Sequence, residues 1–165
     1  MKNSRFFLLI EFSDEALLPG FLELAGKAFG KYDYFTQNIK CYGVNLSTQE
    51  SYGKLRLFSF TKTVNPLKIG KYLKKTEKIK KKLRDDGFTF TLSCGYVNQQ
   101  QVVTFSGESS CNGIVLGKNL YATLQMFRRN STWYDTDSEN NFFKIRDVRI
   151  FFTDVARTYR DKYFL

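Results

Sequence analysis

At 165 residues the chain is long enough for one domain with a real core and too short for two independent ones. It carries 26 lysines and arginines against 16 acidic residues, a net +10, with three cysteines and no histidine. Cys41, Cys94 and Cys111 form no C-x-x-C pair, so neither a zinc centre nor a disulfide framework is expected, and a reduced cytoplasmic compartment fits.

RFFLLIEF (5–12) is apolar on both faces, the pattern of a central strand covered on both sides. Its FFLLI core is too short for a secretory segment, and no run approaches the roughly 20 apolar residues that a transmembrane segment needs. Ser13 with Asp14 and Glu15 makes a cap and first turn for a mostly buried helix. In that helix Leu17, Phe21, Leu24 and Ala28 form one stripe, with Leu18, Leu22, Ala25 and Phe29 beside it. Pro19-Gly20 predicts a kink or a late start, and Gly30 ends the helix. Residues 31–42 read as a strand or hairpin arm with Tyr32 and Tyr34 facing together, and 43–53 as a polar loop.

KLRLFSF (54–60) is the next strand. Asn65-Pro66 then marks a helix start and Gly87 its stop. Ile69, Tyr72 or Leu73, Thr76, Ile79 and Leu83 make the apolar stripe between them. The rest is basic: nine cations from Lys68 to Arg84 face Glu77, Asp85 and Asp86, so this helix holds +6 of the chain's +10. FTFTLSC (88–94) alternates strictly, with Phe88, Phe90, Leu92 and Cys94 on the buried face of a strand.

Residues 100–106, 113–116 and 119–129 read as further strands, and 130–141 as a polar loop around Trp133. Ile145, Val148, Phe152, Val155 and Tyr159 recur at helical spacing in the last segment. The order strand, helix, strand, strand, helix, strand over 1–98 is that of an α+β, ferredoxin-like βαββαβ sheet. Residues 99–165 would add a β extension and a terminal helix to the same domain. Leu8, Ile10, Leu57, Phe90 and Leu92 are expected in one core, with the strands of Leu8 and Leu57 adjacent.

FGKYDY (29–34), FSFTKTVNP (58–66), Thr76, CGYVN (94–98), IVLGKNLYATLQMF (114–127) and Trp133-Tyr134 together resemble an uncharacterised bacterial family, domain of unknown function 4416. Members of that family are sometimes labelled "GTP-binding protein". The resemblance covers nearly the whole chain. Where the family pattern has Asp-Pro before Gly-Tyr, this chain has Ser93-Cys94; where it has Ser-His-Arg-Ile, this chain has CNGI (111–114). Where it has Tyr-Ala-Glu, this chain ends the triplet in Thr123. The departures remove a histidine and carboxylates, which implies a non-catalytic copy even if relatives are enzymes.

The nucleotide label has no support in the residues. A phosphate-cradling G-x-x-x-x-G-K-[ST] loop is absent: Gly26 to Gly30-Lys31 and Gly113 to Gly117-Lys118 are each one residue too close, and neither lysine precedes Ser or Thr. No cofactor is expected. Asp135, Asp137 and Glu139 could together hold magnesium, but a solvated loop explains them more simply. Cys94 reads as a core thiol, and Cys111 has no visible base.

What remains is the basic helix. Lys68, Lys71, Lys74, Lys75, Lys78, Lys81, Lys82 and Arg84 form a face suited to RNA or another polyanion, against the plainer reading of a solvated surface. Tyr32, Tyr34 and Trp133 could stack bases beside it, although the aromatic-glycine signature of sheet-based RNA binders is missing. The alternative is an enzyme-like domain, or its degenerate relative, that holds a small phosphorylated ligand. Glu11, Asp14, Tyr96 and Trp133 are the candidates for its pocket, with Glu11 otherwise a solvated residue and Asp14 a cap. A third class is an adaptor using an aromatic surface for a protein partner.

Overall fold

The computed structural model describes residues 4–41, 53–109, 112–136 and 141–163. The order begins with β1 (Ser4–Phe12), α1 (Leu17–Phe29), β2 (Tyr32–Phe35), β3 (Ile39–Lys40), β4 (Lys54–Val64), α2 (Ile69–Asp85) and β5 (Phe90–Val97). It continues with β6 (Gln101–Ser106), β7 (Gly113–Gly117), β8 (Leu120–Arg129), β9 (Thr132–Asp135) and α3 (Arg146–Tyr163). The chain is thus α+β. Its strands form one sheet in the order β2-β4-β1-β5-β6-β8-β7, with β3 also on β4 and β9 also on β8. Every pairing is antiparallel.

β1 lies between β4 and β5 and is buried along its whole length, as a strand apolar on both faces should be. Its alternate residues serve two cores. Phe6, Leu8, Ile10 and Phe12 join Phe21 and Phe29 of α1 and Ile69, Leu73 and Leu83 of α2 on the first face. Phe7 and Leu9 join Val148, Phe152 and Val155 of α3 on the second. Two helices therefore cover one face and one helix the other. Among the described residues no helix is long and apolar enough to cross a membrane.

Leu8, Ile10, Phe90 and Leu92 share the first core as expected, and β1 and β4 are neighbours. Leu57 does not share it. It lies on the second face because it pairs with Leu9, whereas its neighbour Phe58 pairs with Leu8 on the first. Tyr32 and Tyr34 are likewise parted: Asp33 is an extra residue in the pairing with β4, so Tyr32 packs on the first face and Tyr34 on the second. The strand expected at 88–94 is β5, displaced to 90–97 and leaving Phe88 outside it. The segment around Trp133 is not a loop but the strand β9, turned back on β8 at Asn130-Ser131, both with positive φ. The loop expected at 43–53 falls almost entirely outside the described residues.

α1 takes the late start. Asp14 rather than Ser13 organises the turn before it, its carboxylate accepting from Ala16 N at 2.9 Å, and Pro19 falls harmlessly in the first helical turn. Asn65 accepts from Leu67 N at 2.9 Å and opens a short 3-10 turn that leads into α2. Gly87, with φ 91°, closes that helix where a left-handed residue is needed.

Candidate functional site

α2 buries Ile69, Leu73, Thr76, Ile79 and Leu83 against the sheet and turns its cations outward. Lys68, Lys71, Lys74, Lys75, Lys78, Lys81, Lys82 and Arg84 are all exposed, so the helical spacing placed every one of them correctly. Their surroundings then divide them. Lys75 donates to the Ala28 carbonyl of α1 at 2.8 Å, and Lys82 pairs with Asp86 at 3.1 Å. Lys80, half-buried, holds Glu77 at 2.7 Å. Among the described residues Lys68, Lys71, Lys74, Lys78 and Lys81 have no carboxylate partner.

The other flank of α2 faces the turn between β7 and β8, and a groove runs between them. It consists of two adjoining clefts of about 500 Å³ and 910 Å³ that share Leu73, Lys74, Lys118 and Asn119. Lys68 and Lys71 line the first, Lys78, Lys80 and Arg84 the second. The carboxylates lining it are Glu77, already engaged by Lys80, and Glu108. Lys118 supplies a cation from the opposite bank, held there by a turn in which Asn119 has φ 54°. In the sequence Lys118 stands out only as the lysine of a glycine spacing one residue too short for a phosphate loop. Its place opposite α2 depends on strand pairing between β7 and β8, which the local sequence does not encode.

The candidate small-ligand residues are not brought together. Asp14 is exposed and accepts from Ala16 N in the turn before α1. Tyr96 lies half-buried on the first face against Phe105, and burial pushes its hydroxyl above the usual tyrosine range. Trp133 is buried on the second face, its Nε1 donating to Thr153 Oγ1 at 3.1 Å, so it is not free to stack a base. Tyr34 is committed too, accepting from Thr158 Oγ1 at 2.9 Å. Asp135 is engaged by Arg149 at 2.9 Å, while Asp137 and Glu139 lie outside the described residues, as does Cys111. Cys94 is a core thiol, its pKa pushed up to about 12 by burial.

The profile described as "Domain of unknown function (DUF4416)" matches residues 2–159. The chain belongs to the DUF4416 family. No curated protein and no solved structure matches it. The motifs behind the family resemblance fall on strands: CGYV ends β5, and IVLGKNLYATLQMF is the β7–β8 hairpin that carries Lys118 and leaves Ile114, Val115 and Leu116 exposed. Thr76, fully buried, donates to the Tyr72 carbonyl at 2.9 Å inside α2.

Glu11 is the one candidate in an unusual setting. It is not solvated but buried on the second face, where it accepts from Thr91 Oγ1 at 2.8 Å. Burial raises its pKa above the carboxylate range, and the Thr91 bond offsets this only partly. Nearby Cys41 is raised too, first by its own burial and then by the Glu11 charge. A folded state that holds this proton more tightly than the unfolded chain gains stability as pH falls and loses it as pH rises through the folded pKa. Glu11→Gln, which keeps a partner for Thr91, is therefore expected to be more stable than the parent at pH 8, by a margin that shrinks towards pH 5. Denaturation midpoints at the two pH values check this; a margin independent of pH would count against a raised Glu11.

Proposed function

We propose that the chain is a non-catalytic basic module that binds RNA or another polyanion along the groove between α2 and the β7–β8 turn. The observation that carries this reading is the pairing of Lys71, Lys74 and Lys78 on one bank with Lys118 on the other. A solvated face needs neither a groove nor a facing lysine. Phosphates laid along it would meet cations from both sides, which attract a backbone without reading its sequence. The ferredoxin-like reading of residues 1–98 is supported by the order β2-β4-β1-β5, by antiparallel neighbours throughout, and by α1 and α2 sharing one face. A cytoplasmic setting is supported by Cys41 and Cys94, both buried free thiols.

A second reading, an enzyme-like or degenerate domain holding a small phosphorylated ligand, would use the same groove, where Leu73 and Leu120 give an apolar lining. Mass spectrometry of the purified protein separates the two: a stoichiometric phosphate ester supports the second, co-purified nucleic acid the first.

The decisive experiment is the salt dependence of binding to a fluorescent nucleic-acid duplex. Changing Lys74, Lys78 and Lys118 to Gln is expected to flatten the log–log slope by about 2.7, at 0.9 for each phosphate that no longer meets a lysine. Stability should stay within about 1 kcal/mol, as at surface positions generally. Lys82→Gln, whose parent lysine points to Asp86 instead of the groove, should leave the slope nearly unchanged. Equal slopes for the parent and the triple variant would end the polyanion reading.

A further inference from the structure

The most exposed large apolar side chains gather at the mouth of the basic groove. Leu67, Ile114, Val115 and Leu116 are 76%, 65%, 68% and 51% exposed, and among the described residues no other large apolar side chain passes one half. Leu67 follows Pro66 in the turn before α2 and lines one cleft with Lys68, Lys71, Lys74, Gly117 and Lys118. The other three are the centre of β7, directly before the Gly117-Lys118 turn.

Contacts and register fix these places. Gly70, one turn beyond Leu67, stands against β8, where a Cβ on it would meet Leu120 Cδ2 at 3.5 Å. Ile114 pairs with Ala122, which packs on the first core, so Ile114 lies on the sheet face that carries α2. Val115 pairs with Tyr121 and belongs to the other face. β7 is thus apolar on both faces, like β1, yet it ends the sheet and is bare. Edge strands are ordinarily guarded by charged side chains, and 113–117 contains none. Aliphatic side chains kept in water beside one another mark a contact surface.

The neighbouring charge decides what covers it. A second copy paired antiparallel through β7 would set two +6 helices on one face across a single seam. A nucleic acid would gain from the lysines but not from the aliphatic groups, which offer no ring for a base to stack on. An anionic membrane surface uses both, its headgroups attracting the lysines and its acyl boundary taking the aliphatic side chains. We propose that the polyanion met by this groove is an anionic lipid surface, with Lys68, Lys71, Lys74 and Lys118 among the headgroups and Leu67 and the β7 edge dipping below them. This rests on the polyanion reading of the groove and names its partner.

The test is sedimentation of the full chain with vesicles of about three parts phosphatidylcholine to one of phosphatidylserine, and with vesicles of phosphatidylcholine alone. Binding to the nucleic-acid duplex is measured alongside. Saturable binding is expected to the anionic vesicles and not to the neutral ones. Leu67→Ser, and separately Ile114→Thr with Val115→Thr, should each weaken vesicle binding about tenfold while leaving duplex binding within about twofold. Threonine keeps the strand preference of β7 and Leu67 lies outside that strand, so either variant serves if the other fails to fold. Duplex binding without vesicle binding, vesicle affinity undiminished in a folded variant, or equal losses on both probes would overturn the lipid surface and leave the groove reading standing. Binding to neither probe would end both.

Discussion

Replacing Asp33 by Leu is expected to destabilise the protein by about 3 kcal/mol, the lower end for breaking a buried ion pair, since Asp33 keeps some solvent contact. Its partner Arg5 sits in the first residues of β1 and is only 4% exposed. The guanidinium fills the bulge of β4, where Nε donates to the Phe60 carbonyl at 2.9 Å and the terminal nitrogen meets the Asp33 carboxylate. Asp33 in turn accepts from Ser59 Oγ at 2.8 Å and from Tyr34 N at 2.9 Å, so it ties three strands together at one point. Removing it strands a desolvated charge and frees two donors. The penalty comes from that orphaned cation, so Arg5→Leu in the same chain should recover part of it. Urea denaturation with an unchanged m-value measures both. A loss below about 1 kcal/mol would mean that the pair behaves like an exposed one.

That cluster also shows what the sequence conceals. β1, α2 and the terminal helix were legible because burial imposes a period on residue types: hydrophobic at every position in a doubly covered strand, every third or fourth in a helix. The caps at Asn65 and Gly87 were legible because few residues can do those jobs. The bulges were not. One extra residue at Asp33 or at Gln125 flips the faces of everything after it, yet leaves composition and local propensity untouched. Tyr34 and Met126 therefore lie on faces that strict alternation from Tyr32 and Leu124 would not give them.

The same division governs the sites. The lysines of α2 needed only the helical period, and all eight candidate cations are exposed. Lys118 and the setting of Glu11 needed strand order. Glu11 meets Thr91, eighty residues away in sequence, because β1 pairs with β5; Lys118 faces α2 because β7 ends the sheet. Trp133 misled for the opposite reason. It is flanked by polar residues and so reads as a loop aromatic, but β9 turns it into the second core.

Gly95→Ala is expected to cost about 3 kcal/mol or more, at or beyond the upper end for overpacking a core. Gly95 lies in β5 opposite Phe7 of β1 and Thr104 of β6. A methyl group there would sit 2.6 and 2.8 Å from Cζ and Cε1 of the Phe7 ring, and closer still to the Val103 carbonyl oxygen. Neither neighbour can withdraw. Phe7 is wholly buried with its ring edge-on to Phe152 at 4.9 Å, and Val103 belongs to a ladder paired on both sides. Phe7→Leu should therefore rescue Gly95→Ala only partly, because it relieves the ring and leaves the backbone oxygen in place. Gly26→Ala is the matched control. That glycine lies inside α1 with nothing within 4 Å of the added carbon, and the change should stabilise the helix by up to about 1 kcal/mol. Thermal and urea unfolding of the two variants should thus move in opposite directions. If Gly95→Ala unfolds at the parent's midpoint, β5 and β6 do not approach as closely as the register between Gly95 and Thr104 requires.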